Sequence, residues 1–352
     1  MNLLRTLPGL LALTCVALAA AEPIRVFTDE TLRQPHNIAF DAQGDTYGVE
    51  SLFTNRIFKI TGGKAEIISG LRWDSAPKGQ RPPPPAKPLD LAPAVYKSPT
   101  DIAVAPDGSI FVTDSSQHRI VRLDPVTRTA SVFAGNGHAG FSGDGGRAEQ
   151  ARLNIPTGVA LDPSGKFLIV SDLGNHRVRR IDLATGVITT LAGNGKPGLP
   201  IDGTAAPDAP LGYVRSACLA KDDTLYALLI ANDALVAIKD GKVTVVVNKA
   251  GQNGPATEGP ASEARMNKPK HVTMDAKGNV LILDTENHCL RLFDPAKQTI
   301  RTIAGNGKKG SAVGTDWAST QLNRPHGARI GPDGRLYITD TENNRILSGP
   351  AP

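Results

Sequence analysis

Three histidines follow prolines at short distance: His36 after Pro35, His326 after Pro325, and His271 two residues after Pro269. Arg215 and Tyr213 stand in a segment of similar patterning, YVRSACL. Three neutral imidazoles with one open coordination position suit catalytic zinc. Arg215 and Tyr213 would then be the candidate catalytic side chains beside them. GNGHAG suggests other chemistry, because Gly135, Gly137 and Gly140 have the spacing of a dinucleotide-binding turn and follow the strand-like TASVFA. That turn needs a long helix after it and an acidic residue about twenty positions on. FSGDGGRAEQARLNIP leaves room for a single helical turn, so no nucleotide is expected there.

These residues are positioned by a repeat. GNGHAG at Gly135 returns as GNGKPG at Gly193 and GNGKKG at Gly305, and the steps of 58 and 112 residues are about one and two periods. Ahead of each glycine cluster the same order recurs, as in IPTGVALDPSG, KFLIVSD, LGNHRVRRIDLATG and VITTLAGNG. Each unit holds four short runs with alternating apolar residues, separated by Asp, Asn, Pro and Gly turn chemistry. Four strands at such a period mark a propeller blade. Six units are visible, at about 34–73, 97–136, 154–194, 212–248, 267–306 and 323–348, and the sixth stops after its third strand. The orphan run 24–30 would supply the missing strand and close the ring, leaving no large open sheet edge.

The run GVALD…VSDLGNHRVRRID…TG…TTLAGNG resembles the NHL repeat, over nearly all of residues 24–348, and the linkers resemble those of its secreted bacterial branch. The resemblance implies an all-β, six-bladed propeller of four-stranded NHL-type blades. Within that frame the glycines are expected to steer the chain from the top rim to the next inner strand, through positive φ. Asp144 is expected to bond nearby backbone N–H groups in a turn. Calcium at Asp144 and Asp202 would have one carboxylate per loop, below its usual ligand count. His118, His176 and His288 recur with the repeat and are expected to be structural. Asp172 and Asn175 shape a hairpin, and Arg177 would fork onto a neighbouring blade.

Residues that break the repeat are the informative ones, because the fold alone does not demand them. After the Pro position that starts each inner strand, the six units hold His36-Asn37, Thr100-Asp101, Thr157-Gly158, Arg215-Ser216, Lys270-His271 and His326-Gly327. These would ring the mouth of the central channel, and His36, Asn37, Asp101, Arg215, Lys270 and His326 are the candidate binding residues. His36, His271 and His326 are the candidate metal set, the metal being zinc or calcium. The cluster is similar to that of the peptidyl-hydroxyglycine amidating lyases, which hold a metal with three channel histidines, although His271 is shifted by one residue. A gluconolactonase-type site is the other enzymatic analogue, but its Glu-Gly-Pro start is missing. Glu50 also breaks pattern, replacing the Asp that ends the second strand elsewhere.

Residues 1–21 read as a secretory signal peptide, with Arg5 before an apolar run and small residues at its end. Export to the periplasm or beyond the cell is therefore expected. The rest of the chain would carry 38 basic and 34 acidic residues, a mild and interspersed balance that does not argue for nucleic acid. Cys218 and Cys289 are too few for a disulfide framework. A proline-rich insertion at 74–96 replaces the usual linker between the first two units and favours an extended form. No apolar run beyond the leader approaches a membrane span. Together these features suggest an exported scaffold that binds a protein, peptide or glycan at its top face, with a metal-dependent lyase or hydrolase as the alternative.

Overall fold

The computed structural model describes residues 23–28, 31–51, 54–70, 89–90 and 94–352. The expected signal peptide and most of the proline-rich insertion lie outside the described residues. Six antiparallel sheets form the blades of a ring. The first comprises Pro35–Phe40, Thr46–Glu50, Arg56–Thr61 and Lys64–Ser69, in sequence order from axis to rim. The sixth runs Gly327–Ile330, Arg335–Asp340, Arg345–Pro350 and then Arg25–Val26, so the N-terminal strand completes the last blade. Among the described residues no helix is long and apolar enough to cross a membrane.

Burial follows position in the blade. Second strands such as Val280–Asp284 and Leu225–Leu229 have both faces covered by neighbouring blades and are buried throughout. Outer strands alternate, as Lys242–Val247 does, because one face meets water. The core is divided between the blades, with Val280, Ile282 and Phe293 packing on Leu228, Leu235 and Val247. Each such buried side chain contributes about 1.5–3 kcal/mol.

A ring of hydrogen bonds joins blade to blade at the top. The residue closing each second hairpin is left-handed, and its side chain accepts the N–H of a left-handed residue in the next blade. The pairs are Asn55 with Ser98, His118 with Ile155, His176 with Tyr213, Asp233 with Lys268, His288 with Arg324, and Asn344 with Gln34, at 2.6–3.3 Å. Imidazole, amide and carboxylate all present an acceptor there, which explains why the recurring histidines are exchangeable. Beneath this ring sits a buried carboxylate. Asp172 accepts the Asn154 N–H at 2.7 Å and Asn175 Nδ2 at 2.8 Å, and pairs with the buried Arg179. Glu50 does the same work in blade one, taking the Arg33 N–H at 2.7 Å and Arg56 Nε at 2.6 Å. Its departure from the repeat is structural.

The linkers correct three expectations. The chain does not pass straight from rim to axis after GNGHAG. It first runs along the outer hairpin of the next blade, where Gly145 N–H donates to Ile188 O and Ala148 N–H to Gly186 O. In two blades this contact becomes a fifth strand, Leu89–Asp90 on Thr129–Ala134 and Gly259–Pro260 on Thr299–Ala304. Pairing the outer edge removes open N–H and C=O groups. Asp144, expected to cap its own turn, instead accepts Arg179 Nη2 at 2.6 Å and Thr190 Oγ1 at 2.7 Å, because the linker lies against that outer strand. Among the described residues Arg177 pairs with no neighbouring blade's carboxylate; its guanidinium stacks 3.7 Å from the Phe141 ring centroid and bonds Asn175 O.

The glycine of GNG is required twice over. Gly193 has φ +103°, and a Cβ there would lie 2.2 Å from His176 O. Gly193→Ala is expected to destabilise by about 1–3 kcal/mol, measured as a lower urea midpoint, since backbone must move to admit the methyl group. A midpoint equal to that of the parent would contradict this account.

Candidate functional site at the channel mouth

The two residues after each Pro position take different roles. The second of each pair ties the inner strands together. Asp101 accepts the Val159 N–H at 3.0 Å and the Asn37 amide, Ser216 accepts the Val272 N–H at 3.3 Å, and His271 Nδ1 faces the Ala328 N–H at 3.5 Å. Gly158 and Gly327 fill this place in the third and sixth blades, where the next backbone comes too close for a side chain. A Cβ on Gly327 would lie 2.7 Å from His36 O. Asn37, Asp101 and His271 are therefore engaged between the inner strands of neighbouring blades.

The first residue of each pair forms the mouth: His36, Thr100, Thr157, Arg215, Lys270 and His326. Thr100 and Arg215 both donate to Thr157 O at 2.9 Å, locking the polar side of the ring. His36 and His326 stack with centroids 4.3 Å apart and planes 31° apart. His326 Nδ1 lies 2.8 Å from Arg324 O, and the carbonyl can only accept, so that nitrogen carries the proton. Nε2 is then an acceptor, and it receives the Lys270 ammonium at 2.9 Å. His36 is only 5 % exposed, yet neither ring nitrogen has a partner among the described residues.

The electrostatics follow from burial among cations. His36 is held well below the ordinary imidazole range by burial, then by Arg215 and Lys270. His326 is lowered in the same way, by burial and then by His36 and Lys270. Both rings are neutral at physiological pH. Burial, Arg215 and Arg324 push Lys270 down to about 8, against the pull of Glu286 and Glu342. Those two glutamates are engaged by Arg324, at 2.7 Å and 3.4 Å. One layer down, Asp101 faces Arg329 at 4.0 Å.

The three histidines are not brought together as ligands. Among the described residues no group of three His, Cys, Asp or Glu side chains is arranged to hold a metal ion. His271 points into the tie layer, and the ammonium of Lys270 occupies the Nε2 of His326. Tyr213, 42 % exposed, rests edge-to-face on His176 at 4.5 Å and belongs to the rim. The Arg324–Glu286–Glu342 cluster escaped the sequence reading. Its signal was present, since TEN at 285 and 341 departs from SSQ and LGN in the other copies. Hollows between the lower ends of the blades, such as one of about 450 Å³ beside Tyr226 and Met274, are lined by turn residues.

The NHL repeat model matches residues 96–123, 153–181 and 322–347. The chain carries NHL repeats. Human NHL repeat-containing protein 2 is 27% identical over 286 residues, 72% of this chain and 39% of that protein. The chain thus spans less than half the length of the curated relatives it matches. Among solved structures, an auxiliary nutrient binding protein from Bacteroides ovatus superposes with TM-score 0.65 at 13% identity, over 93% of this chain and 76% of that one. A gluconolactonase from Xanthomonas campestris gives 0.58 at 12% identity, over 94% and 89%. At these identities the likeness shows the six-bladed fold of this NHL-repeat chain and nothing further.

Proposed function

We propose that this NHL-repeat propeller is an exported binding protein whose channel mouth takes the anionic group of a ligand. The observation that carries the reading is His36, more than nine-tenths buried with neither ring nitrogen partnered among the described residues, set beside the Arg215 and Lys270 cations. A buried polar ring without a partner costs free energy until something bonds it. Four cations, Arg215, Lys270, Arg324 and Arg329, stand against three carboxylates, Asp101, Glu286 and Glu342. A nutrient-binding propeller among the structural neighbours agrees with such a role.

The test is calorimetric titration of the full chain with acetate, phosphate and a neutral amide. Acetate or phosphate should bind, and the amide should not; absence of any anion binding overturns the reading. Lys270 gives the binding a pH dependence of known sign. Below about 8 the amine is charged in the free site, and above it the anion must recruit a proton. Affinity should hold steady up to pH 7 and fall above pH 8 by up to about tenfold per unit. Lys270→Met should remove that fall.

The Lys270–His326 contact favours a second reading. An amine titrating near pH 8 on a neutral imidazole is suited to proton transfer, as in a lyase or hydrolase. Recovery of the ligand unchanged after prolonged incubation would exclude it.

A further inference from the structure

The rim above the anion site is chemically lopsided. Two of the six left-handed rim positions hold large apolar side chains that remain in water, Ile155 at 41 % and Tyr213 at 42 % exposure. They belong to adjacent blades, and each stands two residues before a mouth residue, Thr157 or Arg215. The next two rim positions round the ring are charged, Lys268 and Arg324. Ile155 is the least expected of the six residues. Its φ is +51°, a conformation that a β-branched side chain adopts only at a steric cost. The fold asks this position only for a backbone N–H, which His118 accepts at 3.1 Å. Glycine or asparagine would supply that N–H without strain. The isoleucine side chain is therefore not explained by the fold, and it is exposed two residues ahead of Thr157.

We propose that the ligand is a carboxylate joined to an apolar body: the carboxylate meets Arg215, Lys270 and the single N–H of the neutral His36 ring, while the body lies on Ile155 and Tyr213. This rests on the anion-binding reading above and adds the chemical class of the ligand. Charge and shape divide between the two halves of the site, the cations orienting the carboxylate and the apolar rim selecting what carries it.

The experiment compares hydrocinnamate with acetate by calorimetry on the full chain, in the parent protein and in Ile155→Gly and Tyr213→Ala. Hydrocinnamate should bind about tenfold more tightly than acetate, the gain of removing part of a phenyl ring from water. Ile155→Gly should move two quantities in opposite directions. The free protein should melt about 2 °C or more higher, because strain is relieved, while the preference for hydrocinnamate shrinks at least threefold and acetate affinity stays unchanged. A purely structural isoleucine would leave the preference intact. Tyr213→Ala should shrink the preference in the same way. A tripeptide ending in phenylalanine, with a free or an amidated C-terminus, separates two sources of this chemistry. Binding of the free-acid peptide at hydrocinnamate strength supports a peptide end as ligand, and binding of hydrocinnamate alone supports a small free acid. Acetate binding with no gain for hydrocinnamate, or a preference untouched by both substitutions, overturns this inference and leaves the anion reading standing. Failure of every anion removes both.

Discussion

Asp284→Ala is expected to destabilise the protein by about 3–5 kcal/mol, read as the loss in urea unfolding free energy. Asp284 is fully buried and accepts the Asn267 N–H at 2.7 Å and Asn287 Nδ2 at 2.9 Å. It also faces Arg291 Nη1 at 3.4 Å, and the Arg291 side chain is itself fully buried. Alanine would leave that guanidinium with backbone carbonyls alone, those of Thr257 and Arg265. An uncompensated buried charge is the costly part of breaking such a pair. Asp172→Ala makes a sharp comparison. Its partner Arg179 keeps a second carboxylate, Asp144 at 2.6 Å, so the charge stays neutralised. The cost there should be smaller by at least about 1 kcal/mol. If Asp172→Ala proves the more damaging of the two, the account of these anchors is wrong.

Arg215→Met and Lys270→Met should each weaken anion binding about 30-fold or more while leaving the fold intact. Truncating one partner of a desolvated charge pair costs about 2 kcal/mol or more, and about 1.4 kcal/mol is a factor of ten. Arg215 contributes beyond its charge, because its donation to Thr157 O holds the guanidinium against the channel wall. Lys270→Arg should retain part of the affinity and lose the fall above pH 8, since guanidinium stays charged. Each makes one contact across blades, Arg215 to Thr157 O and Lys270 to His326, but neither belongs to the tie layer or the carboxylate anchors, so melting should shift little. A full loss of folding in either variant would place these side chains in the core of the design rather than at a site. Unchanged affinity would remove them from binding altogether.

How much of the site was legible in the sequence depended on what the repeat could and could not isolate. His36, Arg215, Lys270 and His326 stood out because the copies disagree where the inner strands start. Asn37, Asp101 and His271 stood out by the same criterion, but their side chains are engaged between the inner strands. Disagreement between copies marks freedom from the repeat, and freedom has two causes. At the mouth the side chain has no structural task. In the tie layer any acceptor of suitable reach serves, so Asp, Ser and His interchange. Gly158 and Gly327 in that layer were the clue, since glycine among polar residues indicates a close backbone. Glu50 breaks the pattern for a related reason: one more methylene is accommodated while the same N–H and guanidinium are held.

The sequence by itself determined the number of blades, the four strands in each and the closure by the N-terminal strand. These follow from alternation, turn residues and period, which are local properties of the chain. It also narrowed the mouth to six pairs of residues after the Pro positions. Only the tertiary structure decided which of two adjacent residues faces the channel, where the linkers run, and that His36 is left without a partner. Those facts depend on how one blade lies against the next, at separations of about 56 residues in the chain, and a partner that far away leaves no trace in local pattern.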